Sequence, residues 1–287
     1  MNPTFGARIA AARSAYGPLC VGIDPHPALL ERWGLPDDAT GARAFGLAVV
    51  QAVVGRVAAV KPQSAFFERH GPAGVAALAD VLEAATGADG LTQVILDAKR
   101  GDIGSTMAGY ADAYLRSTSP FACDALTVSP FLGVGSLAPA IEAALGSGRG
   151  LFVLALTSNP EGPGVQHAVD RAERSVAAAI ADQVSQLNAT ELGARSGLGS
   201  VGLVVGATVG DAVRELGIDL LAVQGPLLAP GVGAQGAGRH ELASVFGEAR
   251  SRVLASVSRS VLGAGPDLDE LRRAAAAATA EAVAALH

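Results

Sequence analysis

The chain has 287 residues, of which 50% are hydrophobic and 17% charged, and its formal net charge is −6. That length can bury a large core in one or two domains, and the acidic balance argues against general nucleic-acid binding. Mean hydropathy is +0.36, but every long apolar stretch is interrupted by a charge, Gln or Gly, so we predict no membrane span.

The N-terminal residues lack the apolar block of a signal peptide. The two cysteines, Cys20 and Cys123, and the five histidines show no metal-ligand spacing. Isolated thiols are typical of a reducing compartment rather than of a disulfide scaffold. We therefore expect a cytoplasmic protein without a metal site.

Short apolar runs recur along the chain, each ending in Gly, Pro or a polar residue. They cover residues 19–24, 56–62, 92–99, 124–130, 151–159, 200–208, 226–233 and 252–260. Segments with helical periodicity lie between them, such as 41–54 and 74–85. Runs that are apolar throughout indicate strands buried on both faces of a parallel sheet. Eight strand–helix units predict an α/β fold, a (β/α)₈ TIM barrel in a single domain over residues 1–287. A doubly wound open sheet remains the alternative, because periodicity cannot prove closure.

Two segments complete the predicted elements. The longest interval between strands contains a predicted helix over 171–189, within an insertion at about 160–200 whose role the sequence does not reveal. The Ala-rich C-terminal segment predicts a closing helix at about 267–286.

The third strand ends in "LDAKRGDIGST", which gathers Asp97, Lys99 and Asp102 after an apolar run. Alternation along a strand puts Asp97 and Lys99 on one face, and Gly101 allows a turn that returns Asp102. Lys61 closes the second strand, and Asp24 closes the first. A structural ion pair is the plainer interpretation, but buried charges are costly and cluster at functional sites. We predict an active site at the C-terminal mouth of the barrel.

The segment "GVGAQG", residues 231–236, matches G-x-G-x-x-G but comes too late in the chain for a dinucleotide site. A glycine-rich loop after the seventh strand suits phosphate in a barrel. Arg259, after the eighth strand, supplies a fork-shaped cation whose geometry suits phosphate. A plain turn beside a surface Arg is the alternative.

Several motifs, in order, resemble the orotidine 5′-phosphate decarboxylase family, especially its longer, mycobacterial-type form. They are "CVGIDPHP", "VKPQSAFFE", "DAKRGDIGST", "APGVGAQG" and "SRS". D-x-K-x-x-D alone is less specific, because related hexulose-phosphate synthases share it. Ser258 departs from the Gly that shorter members often carry before the Arg.

The resemblance implies decarboxylation of orotidine 5′-monophosphate to UMP without metal or organic cofactor, in a homodimer. Lys99 would be the general acid, in a catalytic row with Lys61, Asp97 and Asp102. The resemblance also implies a set of substrate-binding residues. Asp24 and Lys61 would bind the ribose, and Ser158 would bind the pyrimidine. Gln235 and Arg259 would bind the phosphate, and Pro230 would line the pocket. Asp102 and Thr106 would reach into the partner's site. The loops "NPEGPGVQH" and "GVGAQGAGRH" are candidate lids.

Three other functions remain open at this point. One is a magnesium-dependent aldolase of the hexulose-phosphate type. Another is a Schiff-base aldolase using Lys61 or Lys99, although a Lys beside carboxylates stays protonated and is a poor nucleophile. The third is a phosphate-binding barrel without catalysis, which gives no reason for the charged row.

Overall fold

A computed structural model of the chain describes residues 3–86, 90–233 and 236–287. The strands are β1 Leu19–Ile23, β2 Ala59–Pro62, β3 Gln93–Arg100, β4 Ala125–Val128, β5 Gly150–Leu156, β6 Val201–Val205, β7 Leu227–Pro230 and β8 Val253–Val257. They pair in parallel in chain order, and β8 pairs with β1 to close the barrel. The predicted (β/α)₈ barrel is thereby confirmed, and the open sheet is excluded.

The first helix precedes β1, and the other helices follow the strands and surround the barrel. They are α1 Phe5–Tyr16, α2 Pro27–Arg32, α3 Ala39–Val53, α4 Ser64–Glu68, α5 Gly71–Thr86, α6 Gly104–Leu115, α7 Ala138–Gly146, α8 Pro163–Gln166, α9 Val176–Leu192, α10 Ala212–Glu215, α11 Arg239–Phe246, α12 Arg259–Leu262 and α13 Leu268–Leu286. Short 3₁₀ helices span Val134–Leu137 and Gly247–Arg252.

The apolar core has two layers because the strands are buried on both faces. The larger layer packs the helices against the outside of the barrel. The smaller one fills the barrel interior, where Phe5 and Ile9 of α1 join side chains from the strands. The Phe5 ring meets the Phe152 ring edge to face at 6.0 Å between centroids. With the N-terminal part of the interior packed in this way, the C-terminal ends of the strands are left for the polar side chains.

The insertion between β5 and β6 contains the predicted long helix, displaced towards its C-terminus. Helix α9 begins at Val176 because the Ser175 hydroxyl caps it by accepting from the Ala178 backbone N–H. Asp170 accepts the N–H groups of Ala172 and Arg174, which holds the preceding residues in a turn. Residues 171–175 are therefore not helical, although their composition suits a helix.

Helix α13, Leu268–Leu286, lies where the sequence predicts the closing helix. Its N-cap is Asp267, whose carboxylate accepts the N–H groups of Asp269 and Glu270. A carboxylate is favourable there because it meets unpaired N–H groups and the positive end of the helix dipole. None of the helices in the described ranges is long and apolar enough to cross a membrane.

Candidate active site

Asp97 lies at the centre of the polar mouth and accepts four hydrogen bonds. Its Oδ1 atom accepts from Lys99 Nζ at 2.6 Å and from Thr127 Oγ1 at 2.9 Å. Its Oδ2 atom accepts from Lys61 Nζ at 2.7 Å and from Gln63 Nε2 at 3.0 Å. Three neighbouring strand ends thus converge on one carboxylate. The structure brings together three of the four residues in the predicted charged row.

The two amines keep Asp97 ionised. Burial by itself raises the pKa of the carboxyl, but the charges of Lys61 and Lys99 outweigh it and lower the pKa to about 2. For Lys61, burial works against the charged amine, but the carboxylates of Asp97 and Asp24 prevail and raise its pKa. Lys61 and Asp97 therefore form a charged pair at neutral pH, even though their side chains are only 8% and 10% exposed.

Lys99 reaches Asp97 from an irregular point in β3. The pairing register with β4 shifts between Leu96 and Arg100, and Lys99 has a φ of 47°, in the left-handed region. Such backbone conformations are uncommon for residues other than glycine and recur at active sites. Two side chains that regular alternation places on one face are thus brought into direct contact by a bulge. The Lys99 side chain stays 46% exposed at the mouth.

Asp102 and Thr106 do not join this cluster within the chain. Gly101 allows the residues that follow β4 to approach closely, since a Cβ there would overlap the carbonyl oxygen of Ser129. Asp102 is half-buried, and its carboxylate accepts the N–H of Ile103 at 2.8 Å. Thr106, in the first turn of α6, is exposed. Within one subunit, therefore, neither side chain pairs with Lys99.

Asp24 follows β1 and carries an unusual polar atom. Its Oδ1 atom is buried and has no hydrogen-bond partner among the described residues. Buried carboxylate oxygens are normally paired, so this atom marks a place where a ligand hydroxyl could donate. Asp24 also interacts electrostatically with Lys61, which puts it at the same mouth as the charged row.

The predicted phosphate residues follow the last two strands. Pro230 ends β7 and is half-buried, and Arg259, the first residue of α12, is exposed. Gly231 and Gly233 have φ values of 90° and 114°, which side chains rarely adopt. Gln235 lies outside the described residues. The described glycines at the start of this loop thus have backbone conformations that favour glycine.

Ser158 lies just beyond the end of β5 and is exposed. The insertion folds back beside it. Gln166 of α8 accepts the Thr157 N–H at 2.8 Å and donates to the Thr157 hydroxyl at 2.7 Å. The predicted lid sequence "NPEGPGVQH" is therefore tied to the strand end next to Ser158.

A cavity of about 420 Å³ opens beside the charged row. Asp97 and Lys99 line it, together with residues of α4 and the outer side of β3. Arg100 pairs there with Glu68, and its guanidinium lies 5.6 Å from the centroid of the Tyr110 ring. Within the described ranges, no group of three or more His, Cys, Asp or Glu is placed to hold a metal ion.

Three features of the site escaped the sequence interpretation. Gln63 and Thr127 both donate hydrogen bonds to Asp97, and for each of them the sequence contains a feature that could have pointed to it. Gln63 lies two residues after Lys61, and Thr127 is the one hydroxyl in the apolar strand "ALTV". The third is that Lys61 and Lys99 are the only lysines among the 21 Lys and Arg residues. Both lysines lie at the candidate site and pair with Asp97.

Comparison with known proteins gives a consistent result. Residues 17–274 match the sequence model described as the orotidine 5′-phosphate decarboxylase / HUMPS family. A curated orotidine 5′-phosphate decarboxylase of Salinispora arenicola is 57% identical, over 99% of this chain and 98% of the relative. The protein of the same name from Streptomyces coelicolor is 55% identical, over 96% of this chain and 95% of the relative.

Solved structures agree with the sequence relatives. A crystal structure from Streptomyces avermitilis, assigned to orotidine 5′-phosphate decarboxylase, superposes with a TM-score of 0.92 at 54% identity, over 99% of this chain and 96% of that one. The structure of Leishmania donovani OMP decarboxylase gives a TM-score of 0.76 at 30% identity and covers 99% of both chains.

Proposed function

Since this chain belongs to the orotidine 5′-phosphate decarboxylase / HUMPS family and is a carboxy-lyase, we propose a mechanism in which Lys99 is its general acid. The reaction is the decarboxylation of orotidine 5′-monophosphate to UMP in pyrimidine synthesis. Loss of CO₂ leaves an electron pair at carbon 6 of the ring, with no π-system to absorb it. An ammonium group can stabilise that charge and then donate its proton to the carbon, so no metal or organic cofactor is required.

The contact between Lys99 and Asp97 is the single observation that carries this proposal. The ammonium lies 2.6 Å from a carboxylate whose pKa is about 2. That carboxylate is ionised at neutral pH and favours the protonated amine. The Lys99 side chain is nevertheless 46% exposed at the mouth, so it can reach a bound substrate.

Asp97 contributes a smaller share of the catalysis in this mechanism. If the substrate carboxylate lay beside it, two like charges ~4 Å apart at an effective dielectric of ~20 would repel by about 4 kcal/mol. Enzymes lower barriers by about 8–23 kcal/mol. Ground-state repulsion therefore cannot supply the main effect, and stabilisation of the developing carbanion by Lys99 supplies more.

The remaining residues that the family resemblance singles out would supply the substrate contacts in this proposal. Asp24, with its unpaired buried oxygen, would accept a ribose hydroxyl, and Lys61 beside it would donate to the ribose. Ser158 at the end of β5 would bind the amide edge of the pyrimidine. Arg259, with Gln235, would bind the phosphate next to Pro230. Phosphate binding far from the breaking bond can drive loop closure and the exclusion of water.

A homodimer would complete the site through Asp102 and Thr106. The loops that follow β3 and β4 are neighbours, since the Ser129 N–H donates to the Arg100 carbonyl at 2.8 Å. On these loops Ile103, Phe131 and Leu132 are 62%, 77% and 54% exposed. Apolar side chains beside a half-complete polar site are typical of an interface. The partner's Asp102 would then approach Lys99.

Replacement of Lys99 tests the assignment of the general acid. We expect Lys99→Ala to abolish loss of orotidylate absorbance while UMP binding stays measurable by calorimetry. Retention of a tenth of wild-type activity would contradict the assignment. Exhaustive chelation should leave the wild-type rate unchanged. Loss of activity that Mg²⁺ restores would instead indicate chemistry of the hexulose-phosphate type.

Mixing two inactive variants tests the shared site. If Lys99 and Asp102 of different subunits form one site, a mixed dimer of Lys99→Ala and Asp102→Ala subunits contains one intact site. Refolding equal amounts together should restore about a quarter of wild-type activity, because half the dimers are mixed. A mixture no more active than its components would place both residues in the same subunit's site.

A further inference from the structure

Thr127 is an isolated hydroxyl in an apolar strand. The other residues of β4, Ala125–Val128, are Ala, Leu and Val, and Thr127 is 1% exposed. A buried hydroxyl is costly unless it is hydrogen-bonded. Thr127 donates to Asp97 Oδ1 at 2.9 Å and accepts the Lys99 backbone N–H at 3.0 Å.

The directions of these two hydrogen bonds are fixed by chemistry. A hydroxyl has one proton to donate, and a backbone N–H cannot accept. Asp97 is ionised and can only accept. The proton of Thr127 must therefore point to Asp97, and a lone pair of its oxygen must face Lys99. The Thr127 side chain thus orients the Asp97 carboxylate. It also holds the backbone of Lys99, whose ammonium pairs with that carboxylate.

The pairing of β3 with β4 explains why a side chain is needed here. Leu96 pairs with Leu126, and Arg100 pairs with Val128. Three residues of β3, from Asp97 to Lys99, therefore face Thr127 alone. A regular parallel ladder cannot continue through such a bulge. The Thr127 hydroxyl accepts the backbone N–H of Lys99 in place of a ladder hydrogen bond. Lys99 is the residue whose φ is 47°.

We propose that Thr127 is a positioning residue for decarboxylation, whose hydroxyl holds the Lys99 backbone in its turn and orients the Asp97 carboxylate towards the Lys99 ammonium. This inference rests on the proposed role of Lys99 as general acid. Thr127 acts through its two partners and need not touch the substrate. A displacement of about 1 Å in catalytic geometry can cost about 100-fold in rate, so its loss should appear in kcat.

Paired substitutions separate the hydroxyl from the volume of the side chain. Thr127→Val keeps the branched shape and removes the hydroxyl, whereas Thr127→Ser keeps the hydroxyl. We expect Thr127→Val to lower kcat by about 10- to 100-fold, with a smaller change in KM for orotidine 5′-monophosphate. Thr127→Ser should recover most of the wild-type kcat. If Thr127→Val does not fold, Thr127→Ala takes its place in the comparison.

Thr92→Val is the matched control for loss of a buried threonine hydroxyl. Thr92 is 4% exposed, donates to the Val57 carbonyl at 2.9 Å and accepts the Gly55 N–H at 3.0 Å. It precedes β3, at the end of the barrel opposite the charged row. We expect Thr92→Val to lower the melting temperature while kcat stays at the wild-type value.

The outcomes distinguish this inference from the proposed function. If Lys99→Ala is inactive but Thr127→Val keeps the wild-type kcat, the positioning role is wrong and the general acid stands. If Thr127→Ser is as slow as Thr127→Val, the hydroxyl is not responsible. If Lys99→Ala remains active, the proposed function is itself wrong. The inference is supported if Thr127→Val lowers kcat, Thr127→Ser recovers most of it and Thr92→Val leaves it unchanged.

Discussion

Lowering the pH should reduce the free energy of unfolding of the wild-type protein by an amount that the Asp97→Asn variant does not lose. Burial raises the pKa of Asp97, but Lys61 and Lys99 overcome it and lower the pKa from 3.8 to about 2 in the folded protein. A group whose folded-state pKa is lowered stabilises the fold above its unfolded-state pKa. That stability is lost as pH falls through the folded-state value. The difference between these two pKa values corresponds to about 2.5 kcal/mol.

The same linkage gives the shape of the effect. Between pH 5 and pH 3 the contribution of Asp97 should fall by about 1 kcal/mol, and the rest should be lost by about pH 1. An asparagine does not titrate, so the difference in unfolding free energy between wild type and variant should shrink by this amount. At neutral pH the variant also leaves the Lys61 ammonium buried without its carboxylate, and breaking a buried pair costs about 3–5 kcal/mol.

Urea unfolding followed by tryptophan fluorescence measures this difference. Trp33 is the only tryptophan and is buried, so its emission reports on loss of the core. Both proteins should be compared from pH 6 to pH 3 at one fixed concentration, because the proposed dimer would make stability depend on concentration.

Asp112→Asn is the control, since Asp112 pairs with Arg116 on the surface and exposed pairs contribute about 0–1 kcal/mol. A wild-type to Asp97→Asn difference that stays constant over this pH range would refute the assigned charge state.

Three other predictions concern the phosphate, the lysines and the interface. Arg259→Ala should weaken UMP binding far more than uridine binding in calorimetry, because only the nucleotide carries phosphate; equal losses would place the phosphate elsewhere. The ¹³Cε NMR signals of the only two lysines should show Lys61 still protonated above its ordinary pKa of 10.5, because burial opposes the charged amine but its carboxylate neighbours prevail and raise that pKa; titration below that value would contradict the raised pKa. Phe131→Glu adds a charge to a side chain that is 77% exposed, and it should yield monomers in sedimentation without unfolding; an unchanged sedimentation coefficient would place the proposed interface elsewhere.

The strands could be predicted from sequence because burial on both faces leaves uninterrupted apolar runs with polar ends. The same logic placed Lys61 and Asp97 at neighbouring strand ends. It could not foresee the bulge at Lys99, because pairing register depends on contacts between strands and not on one strand's pattern. Gln63 and Thr127 were missed for the same reason. Their role exists only once three strands have met around Asp97.

The charge arrangement favours Lys99 over Lys61 as the proton donor of the proposed mechanism. Lys61 is nearly buried and interacts with two carboxylates, Asp97 and Asp24, so the release of its proton would leave buried negative charge uncompensated. Lys99 is half-exposed, and Asp97 is its ion-pair partner among the described residues. In the proposed dimer, the partner's Asp102 would add a second anion beside Lys99 only when the site is assembled. In the proposed mechanism Lys61 holds the Asp97 carboxylate in place, and the more exposed Lys99 is the amine that can reach the substrate.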